Sequence, residues 1–185
     1  MMLIIDLEAT CSDDKYITEE SMEIIEVGAC WVTTEGAVLD TFQSFVRPIE
    51  HPYLTQFCMD LTGITQSQVD NAPMFPNVAC ALAAFCLSKH VAAQHWGSWG
   101  DFDRKQIERE CLRHGVNNPL TPLQHINLKK IFAKNRRIKQ VGMTTALKIQ
   151  GQEPIGQHHR ALDDALNIAY LTKDLGVHGE HPIQR

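Results

Sequence analysis

The start of the chain combines a run of apolar side chains with two acids. Residues 2–5 are all apolar and run directly into Asp6, and Glu8 follows two positions later. A short apolar run of this kind is typical of a fully buried strand. Because alternate side chains of a strand leave the same face, Asp6 and Glu8 should lie side by side. Two adjacent carboxylates repel each other unless a cation lies between them, and carboxylate oxygens are the ligands that Mg²⁺ and Mn²⁺ prefer. The pair therefore predicts a divalent metal site, with an ordinary polar strand end as the alternative.

Two later segments also place acids where an expected helix begins. Asp101 and Asp103 follow an expected buried strand over 90–95, and Asp164 lies near the start of the last helix, five residues after His159. The start of a helix favours a carboxylate because its backbone N–H groups carry partial positive charge. Helical geometry lets His159 and Asp164 approach one site if His159 lies just before the helix.

Four carboxylates and one histidine are sufficient for metal-dependent phosphoryl transfer. Two divalent ions held by the acids can clamp the attacking and leaving oxygens of an in-line displacement. A neutral imidazole can take the proton from the attacking water, and His159 is our candidate for that role. The alternative interpretation of His159 is a helix cap or a surface residue, and the adjacent His158 is its natural control.

Composition limits the classes of protein to consider. The chain has 185 residues, 44% of them hydrophobic, and a net charge of −5. We expect one domain over residues 1–176 and a tail over 177–185. The net charge does not favour a protein that coats nucleic acid. The six cysteines form no CxxC pair, which favours reduced core thiols and a cytoplasmic location. The apolar start is too short for a signal peptide, and we expect no membrane association.

Hydrophobic patterning predicts a domain that mixes strands and helices. After the first strand, residues 23–32 and 38–46 favour two more strands in an antiparallel meander. Two short strands over 90–95 and 124–126 follow, with helices between and after them, including 51–60 and 159–175. This order predicts an α/β fold with a mixed five-stranded sheet flanked by helices.

A basic run stands out in this acidic chain. Residues 129–139 contain six lysines and arginines, including Lys134, Arg136 and Arg137. A run of this kind can be a solvated helix face. Its contrast with the net charge of −5 also makes it a candidate for contact with a phosphate backbone.

Three motifs in the order DLEAT, WGDFD and HRALDDA resemble those of the DEDDh 3′–5′ exonucleases, a branch of the RNase H-like fold. The stretches DLEATC, QFCMDLTGITQSQVD and ALDDALNIA are similar to the Eri-type 3′–5′ exoribonucleases, and the resemblance covers residues 2–175. It implies an RNase H-like sheet, two Mg²⁺ or Mn²⁺ ions and His159 as the general base. The metal ligands that it implies are Asp6, Glu8, Asp103 and Asp164. Asp103 is chosen over Asp101 because Phe102-Asp103 matches the aromatic–Asp pair of the family.

The resemblance also implies where the 3′-terminal nucleotide would bind. Its expected contacts are Glu8, Ala9, Thr10, Phe57, Trp99 and His159. Stacking of a base on an aromatic ring tolerates any sequence, as an enzyme that trims ends requires. For Phe57 and Trp99 the competing interpretation is an ordinary core aromatic.

Three functions remain for comparison. The leading one is a metal-dependent 3′–5′ exoribonuclease that acts on single-stranded 3′ ends, RNA in preference to DNA, and releases nucleoside 5′-monophosphates. A DNA-directed 3′–5′ exonuclease or proofreading-type factor is the alternative within the same class, since these motifs do not report the sugar. A non-catalytic RNA-binding protein is disfavoured because all five catalytic positions are occupied.

Overall fold

The computed structural model describes residues 1–89, 94–121, 123–173 and 175. In these ranges five strands form one sheet, in the order β3-β2-β1-β4-β5. The strands are β1 (Met2–Ala9), β2 (Ile24–Val32), β3 (Val38–Phe45), β4 (His95–Ser98) and β5 (Gln124–Asn127). The helices are α1 (Gln56–Thr62), α2 (Gln66–Asp70), α3 (Phe75–Leu87), α4 (Phe102–His114), α5 (Leu128–Arg136), α6 (Met143–Ile149) and α7 (Ala161–Thr172).

The sheet is mixed. Strands β1, β2 and β3 pair antiparallel, whereas β4 runs parallel to β1 and β5 runs parallel to β4. This arrangement confirms the predicted five-stranded sheet with three antiparallel strands at one side. The apolar strand β1 lies at the centre, and the carboxyl ends of β1 and β4 point the same way.

The two faces of β1 belong to two different cores, because successive side chains of a strand point in opposite directions. Leu3 and Ile5 pack into a cluster with side chains of α3 and α4. Met2 and Ile4 pack into a second cluster with side chains of α5, α6 and α7. The two acids of β1 continue the second series, so they face the layer that contains α7.

A glycine lets the start of α7 lie directly on the sheet. A Cβ atom added to Gly28 of β2 would lie 2.1 Å from the backbone carbonyl carbon of Ala161, at the first residue of α7. Any side chain there would therefore push the helix away. Gly28 is the cross-strand partner of Asp6, so this close approach brings the beginning of α7 beside the acids of β1.

Several element boundaries differ from the sequence-based expectation. The helix expected over 51–60 begins only at Gln56, because the Thr55 side chain caps it by accepting a hydrogen bond from the Cys58 amide. Of the strand expected over 90–95, residues 90–93 lie outside the described residues. Strand β4 occupies His95–Ser98 and so continues three residues beyond the expected strand end at residue 95.

Most of the basic run lies on α5, which extends to Arg136. Within the described ranges, no helix combines the length and the apolar sequence needed to cross a lipid bilayer.

Candidate active site

Three of the predicted acids meet at the carboxyl end of β1. Asp6 and Glu8 extend from the strand, and Asp164 reaches them from the first turn of α7. One carboxylate oxygen from each of the three lies within 4.8 Å of the other two. Oxygens at this spacing can share divalent cations, whose carboxylate ligands lie 2.0–2.6 Å from the ion as a rough range.

The fourth acid, Asp103, comes from the opposite layer of the fold. It lies in the first turn of α4, is buried, and accepts a hydrogen bond from the Leu7 amide of β1 at 3.1 Å. That contact fixes its carboxylate between the positions of Asp6 and Glu8 along the strand. Its charge is the largest carboxylate contribution to the raised pKa of Asp6.

The neighbouring acid of the same segment, Asp101, has a different environment. Its Oδ2 lies 3.1 Å from the Lys130 Nζ in a partly exposed ion pair. Asp101 occupies the N-cap position of α4, where an aspartate is expected to cap the helix, but its side chain makes no capping hydrogen bond. Of the two candidates, the structure thus places Asp103 with the other acids.

The pKa values show how unfavourable four ionised carboxylates are here without a cation. Burial, followed by the Asp164 carboxylate, raises the pKa of Glu8 to about 9. Burial and the Asp103 carboxylate raise the pKa of Asp6 well above its usual range. Burial raises the pKa of Asp103 to about 6, although hydrogen bonds from the backbone oppose the increase. Buried and half-buried acids that repel one another fit a site whose charge is balanced by bound cations.

Both histidines that precede α7 lie beside Asp164. The His158 Nδ1 is 2.8 Å from the Asp164 Oδ2, and the His159 amide donates to the same oxygen at 3.0 Å. The two imidazole rings stack with their centroids 3.9 Å apart. Burial, followed by the neighbouring His158, lowers the pKa of His159, which favours the neutral ring that a base requires. The choice of His159 as the base stays a prediction.

The adjacent acid Asp163 does not take part in this cluster. Its Oδ2 accepts a hydrogen bond from the Gln157 amide at 2.8 Å, and its carboxylate lies against Gly156. The register of the third motif therefore brings Asp164 to the acids of β1 and leaves Asp163 to hold the preceding loop.

Sequence reasoning did not identify Glu26 and Arg160 as residues of the site. Glu26 is fully buried on β2, opposite Glu8, and its carboxylate contacts the Arg160 guanidinium at 3.0 and 3.1 Å. A signal was present, because a glutamate inside the apolar run EIIEVGACW is a charge that needs a buried partner. The identity of that partner was not readable from sequence.

Of the expected nucleotide contacts, Ala9 and Thr10 lie at the same strand end. Ala9 and Thr10 follow Glu8, and Thr10 is buried and exchanges hydrogen bonds with the backbone of Glu23. Phe57 is 40% exposed on α1, so its interpretation as a core aromatic is wrong. Trp99 is half-buried, and its Nε1 donates to the Val141 carbonyl at 3.0 Å.

The basic residues at the end of α5 form an exposed surface, which we call the α5 basic segment (Lys134, Arg136 and Arg137). The Arg136 guanidinium lies 5.5 Å from the centre of the Phe132 ring. Phe132 in turn packs against Trp99, with ring centroids 5.5 Å apart. Side-chain packing thus connects this segment to the loop that precedes Asp103.

Comparison with known proteins agrees with this geometry. The profile of the RNase_T family, described as Exonuclease, matches residues 3–172. The human protein named ERI1 exoribonuclease 2 is 34% identical over 195 residues, which cover 92% of this chain and 28% of that protein. The mouse 3′-5′ exoribonuclease 1 is 34% identical over 178 residues, which cover 91% of this chain and 51% of that protein.

A solved structure has a similar fold. The nuclease domain of 3′hExo, described as a DEDDh family member bound to rAMP, superposes with a TM-score of 0.84 at 31% identity. The match covers 92% of this chain and 88% of that one. The chain spans 28% and 51% of the lengths of the human and mouse relatives. The family profile extends over most of the sequence and includes all the acids of the cluster, and the chain therefore belongs to the RNase_T exonuclease family.

Proposed function

We propose that this chain is a metal-dependent 3′–5′ exoribonuclease that releases nucleoside 5′-monophosphates from RNA 3′ ends. The observation that carries the proposal is the meeting of Asp6, Glu8 and Asp164 within 4.8 Å, with Asp103 hydrogen-bonded to the same strand. The names of the human and mouse relatives support an exoribonuclease activity. The rAMP bound to the related nuclease domain is a nucleotide of the kind that such an enzyme releases.

The donor set fits hard divalent cations, since all four candidate ligands offer carboxylate oxygens. Two Mg²⁺ or Mn²⁺ ions held by Asp6, Glu8, Asp103 and Asp164 would supply Lewis acidity and charge neutralisation for in-line phosphoryl transfer. His159 would accept the proton of the attacking water at its imidazole. Burial lowers the pKa of His159, which favours the neutral ring that this step needs.

The residues around the strand end would hold the 3′-terminal nucleotide. Ala9 and Thr10 provide backbone beside Glu8, and α1 lies against this backbone, since the Cys58 Sγ is 3.7 Å from the Ala9 carbonyl. The exposed Phe57 ring on the same helix would offer a stacking surface. Trp99 directly follows β4, the strand that pairs parallel with β1. Stacking of this kind accepts any base, which suits removal of successive nucleotides.

Longer substrates would extend over the α5 basic segment. Its three cations are exposed, and Phe132 and Trp99 connect it to the candidate site. Phosphate contacts of this type position a strand without reading its sequence. We also propose a cytoplasmic location, which the six free thiols support.

Matched single-stranded RNA and DNA oligomers with labelled 3′ ends test this proposal directly. We expect Mg²⁺- or Mn²⁺-dependent release of labelled nucleoside 5′-monophosphate, faster from RNA, and no release in EDTA or with Asp6→Asn. Faster release from DNA would favour the DNA-directed alternative. Tight binding of RNA without any release would identify a non-catalytic RNA-binding protein and refute the proposal.

A further inference from the structure

We propose that Glu26 and Arg160 form a positioning pair that holds His159 and Asp164 against the acids of β1. This inference rests on the proposed function, because it assigns a task to residues around the candidate site. The two side chains are bound to each other, so we assign them a positioning role and not a catalytic one.

The contacts between the two side chains are those of a bidentate ion pair. The Arg160 Nε donates to the Glu26 Oε2 at 3.1 Å, and the Arg160 Nη2 donates to the Oε1 at 3.0 Å. The same carboxylate accepts hydrogen bonds from the Ala161 amide at 3.0 Å and from the Gln43 Nε2 at 2.6 Å. A planar guanidinium bound at two points fixes the direction of its side chain as well as its distance.

The pair also connects β2, the strand beside Glu8, to the start of α7. Glu26 lies opposite Glu8 in the β1–β2 register. It also accepts a hydrogen bond from the amide of Ala161, the first residue of α7. One carboxylate therefore holds both the start of α7 and the residue just before it. Because its charge lies beside Glu8, an arginine partner also offsets a fifth negative charge next to the cluster.

His159 needs such a support. Its φ of +64° is in the left-handed region, which is uncommon for residues other than glycine. Backbone of this kind persists when the surrounding contacts hold it in place. On one side of this residue the His159 amide donates to Asp164, and on the other side Arg160 is clamped to β2. Loss of the clamp should therefore let the turn relax and move Asp164 while the sheet stays folded.

The chain contains a second buried arginine–glutamate pair, in the last turns of α4. Glu110 of α4 is buried, accepts from the Arg113 Nη1 at 2.8 Å, and also accepts from the Ile24 amide at 3.2 Å. The Glu110–Arg113 pair resembles the Glu26–Arg160 pair in three respects. The glutamate is buried, its partner is an arginine, and its carboxylate also accepts a hydrogen bond from a backbone amide of another element. Arg113→Lys is consequently a control for the general cost of weakening a buried arginine–glutamate pair.

The experiment compares Arg160→Lys with Arg113→Lys in the full chain. For each variant we would measure Tm, the Mn²⁺ affinity without RNA by calorimetric titration, and kcat and KM on a short single-stranded RNA. For Arg160→Lys we expect Mn²⁺ binding about tenfold weaker, as is typical when a group that orients a metal ligand is lost. We also expect kcat to fall at least about tenfold with KM little changed, since the reacting groups are misplaced. Arg113→Lys should lower Tm and leave Mn²⁺ affinity and kcat unchanged.

Unchanged Mn²⁺ affinity and kcat in Arg160→Lys would overturn the proposal, as would equal losses in both variants. If Arg160→Lys does not fold, the double variant E26Q/R160Q removes both charges and is measured in the same way. Wild-type Mn²⁺ affinity in that double variant would also overturn the positioning role. A wild-type chain that binds Mn²⁺ but hydrolyses no RNA would refute the proposed function alone, because the Mn²⁺ affinities still decide the role of the pair.

Discussion

Glu8 provides a sharp test of the carboxylate cluster, because glutamine removes its charge and keeps its shape. Burial and the neighbouring carboxylates of Asp164 and Glu26 raise the pKa of Glu8 from 4.5 to about 9. In the metal-free protein at pH 7, the folded state must keep this carboxyl protonated about 2.5 pH units above its usual pKa, which costs on the order of 3 kcal/mol. We therefore expect Glu8→Gln to be more stable than the wild type without metal, by up to about 3 kcal/mol.

The pH dependence of this gain has a definite sign. Between pH 4.5 and about 9 the folded wild type binds more protons at Glu8 than the unfolded chain does, so Glu8 makes the metal-free protein less stable as the pH rises. Glu8→Gln lacks this loss, and its advantage should grow with pH. For a chain of this size, 3 kcal/mol corresponds to a rise in Tm of roughly 6–12 °C. Thermal melts in EDTA at pH 5, 7 and 8 measure the effect.

An added divalent cation should reverse the order of the Tm values of the wild type and Glu8→Gln. Mg²⁺ or Mn²⁺ should raise the Tm of the wild type more than that of Glu8→Gln, which has lost one ligand, and hydrolysis by the variant should be nearly abolished. The exposed Glu153 supplies the matched control, and Glu153→Gln should behave as the wild type in both assays. A metal-free Tm at or below that of the wild type at pH 8 would refute the repulsion argument. An equal rise in Tm with metal would remove Glu8 from the ligand set.

Three further predictions concern the other motifs. Asp103→Asn should nearly abolish hydrolysis, whereas Asp101→Asn should lose only a partly exposed ion pair worth about 1 kcal/mol or less. If a kinetic comparison found Asp101→Asn to be the inactive variant, the placement of Asp103 would be contradicted. Neutralising the α5 basic segment should weaken RNA binding and reduce the dependence of that binding on salt, with turnover of very short oligomers little changed. If a binding titration showed the same salt dependence as the wild type, the segment would not contact RNA and would be an ordinary solvated surface. His159→Ala should lower kcat on the order of 10²–10⁴-fold, with His158→Ala less affected. Because burial lowers the pKa of His159, wild-type activity should fall on the acid side with a midpoint below about 6.5 in a pH–rate profile, and a reversed order of the two histidine variants would assign the base to His158.

Local sequence was sufficient where the physical rule is local. The alternation of side chains along β1 placed Asp6 and Glu8 on one face, and the structure has both on the face that carries Met2 and Ile4. The capping of α2 by Thr65 is equally local, because a threonine followed three residues later by a glutamine forms a reciprocal capping box within one turn. In each case the deciding contact lies within a few residues of chain.

The third motif shows where local reasoning stopped. Spacing alone allowed His159 to lie either in the helix or before it. In the structure α7 begins at Ala161. The amide of this residue donates a hydrogen bond to Glu26, which is 135 residues away along the chain. The stacking of His158 on His159 follows from the same turn, which the sequence did not predict.

The sequence by itself determined the family, the sheet with its central strand, and the residue types available for chemistry. The resemblance proposed Asp103 and Asp164, but only the tertiary structure supplies the contacts that bring them to β1. Asp103 is distinguished from Asp101 by a hydrogen bond to Leu7, 96 residues away along the chain, and Asp164 from Asp163 by its approach to β1. Two acids so close in sequence have nearly the same local propensities. Their roles differ because the packing of α4 and α7 on the sheet turns one of each pair toward the strand and the other away from it.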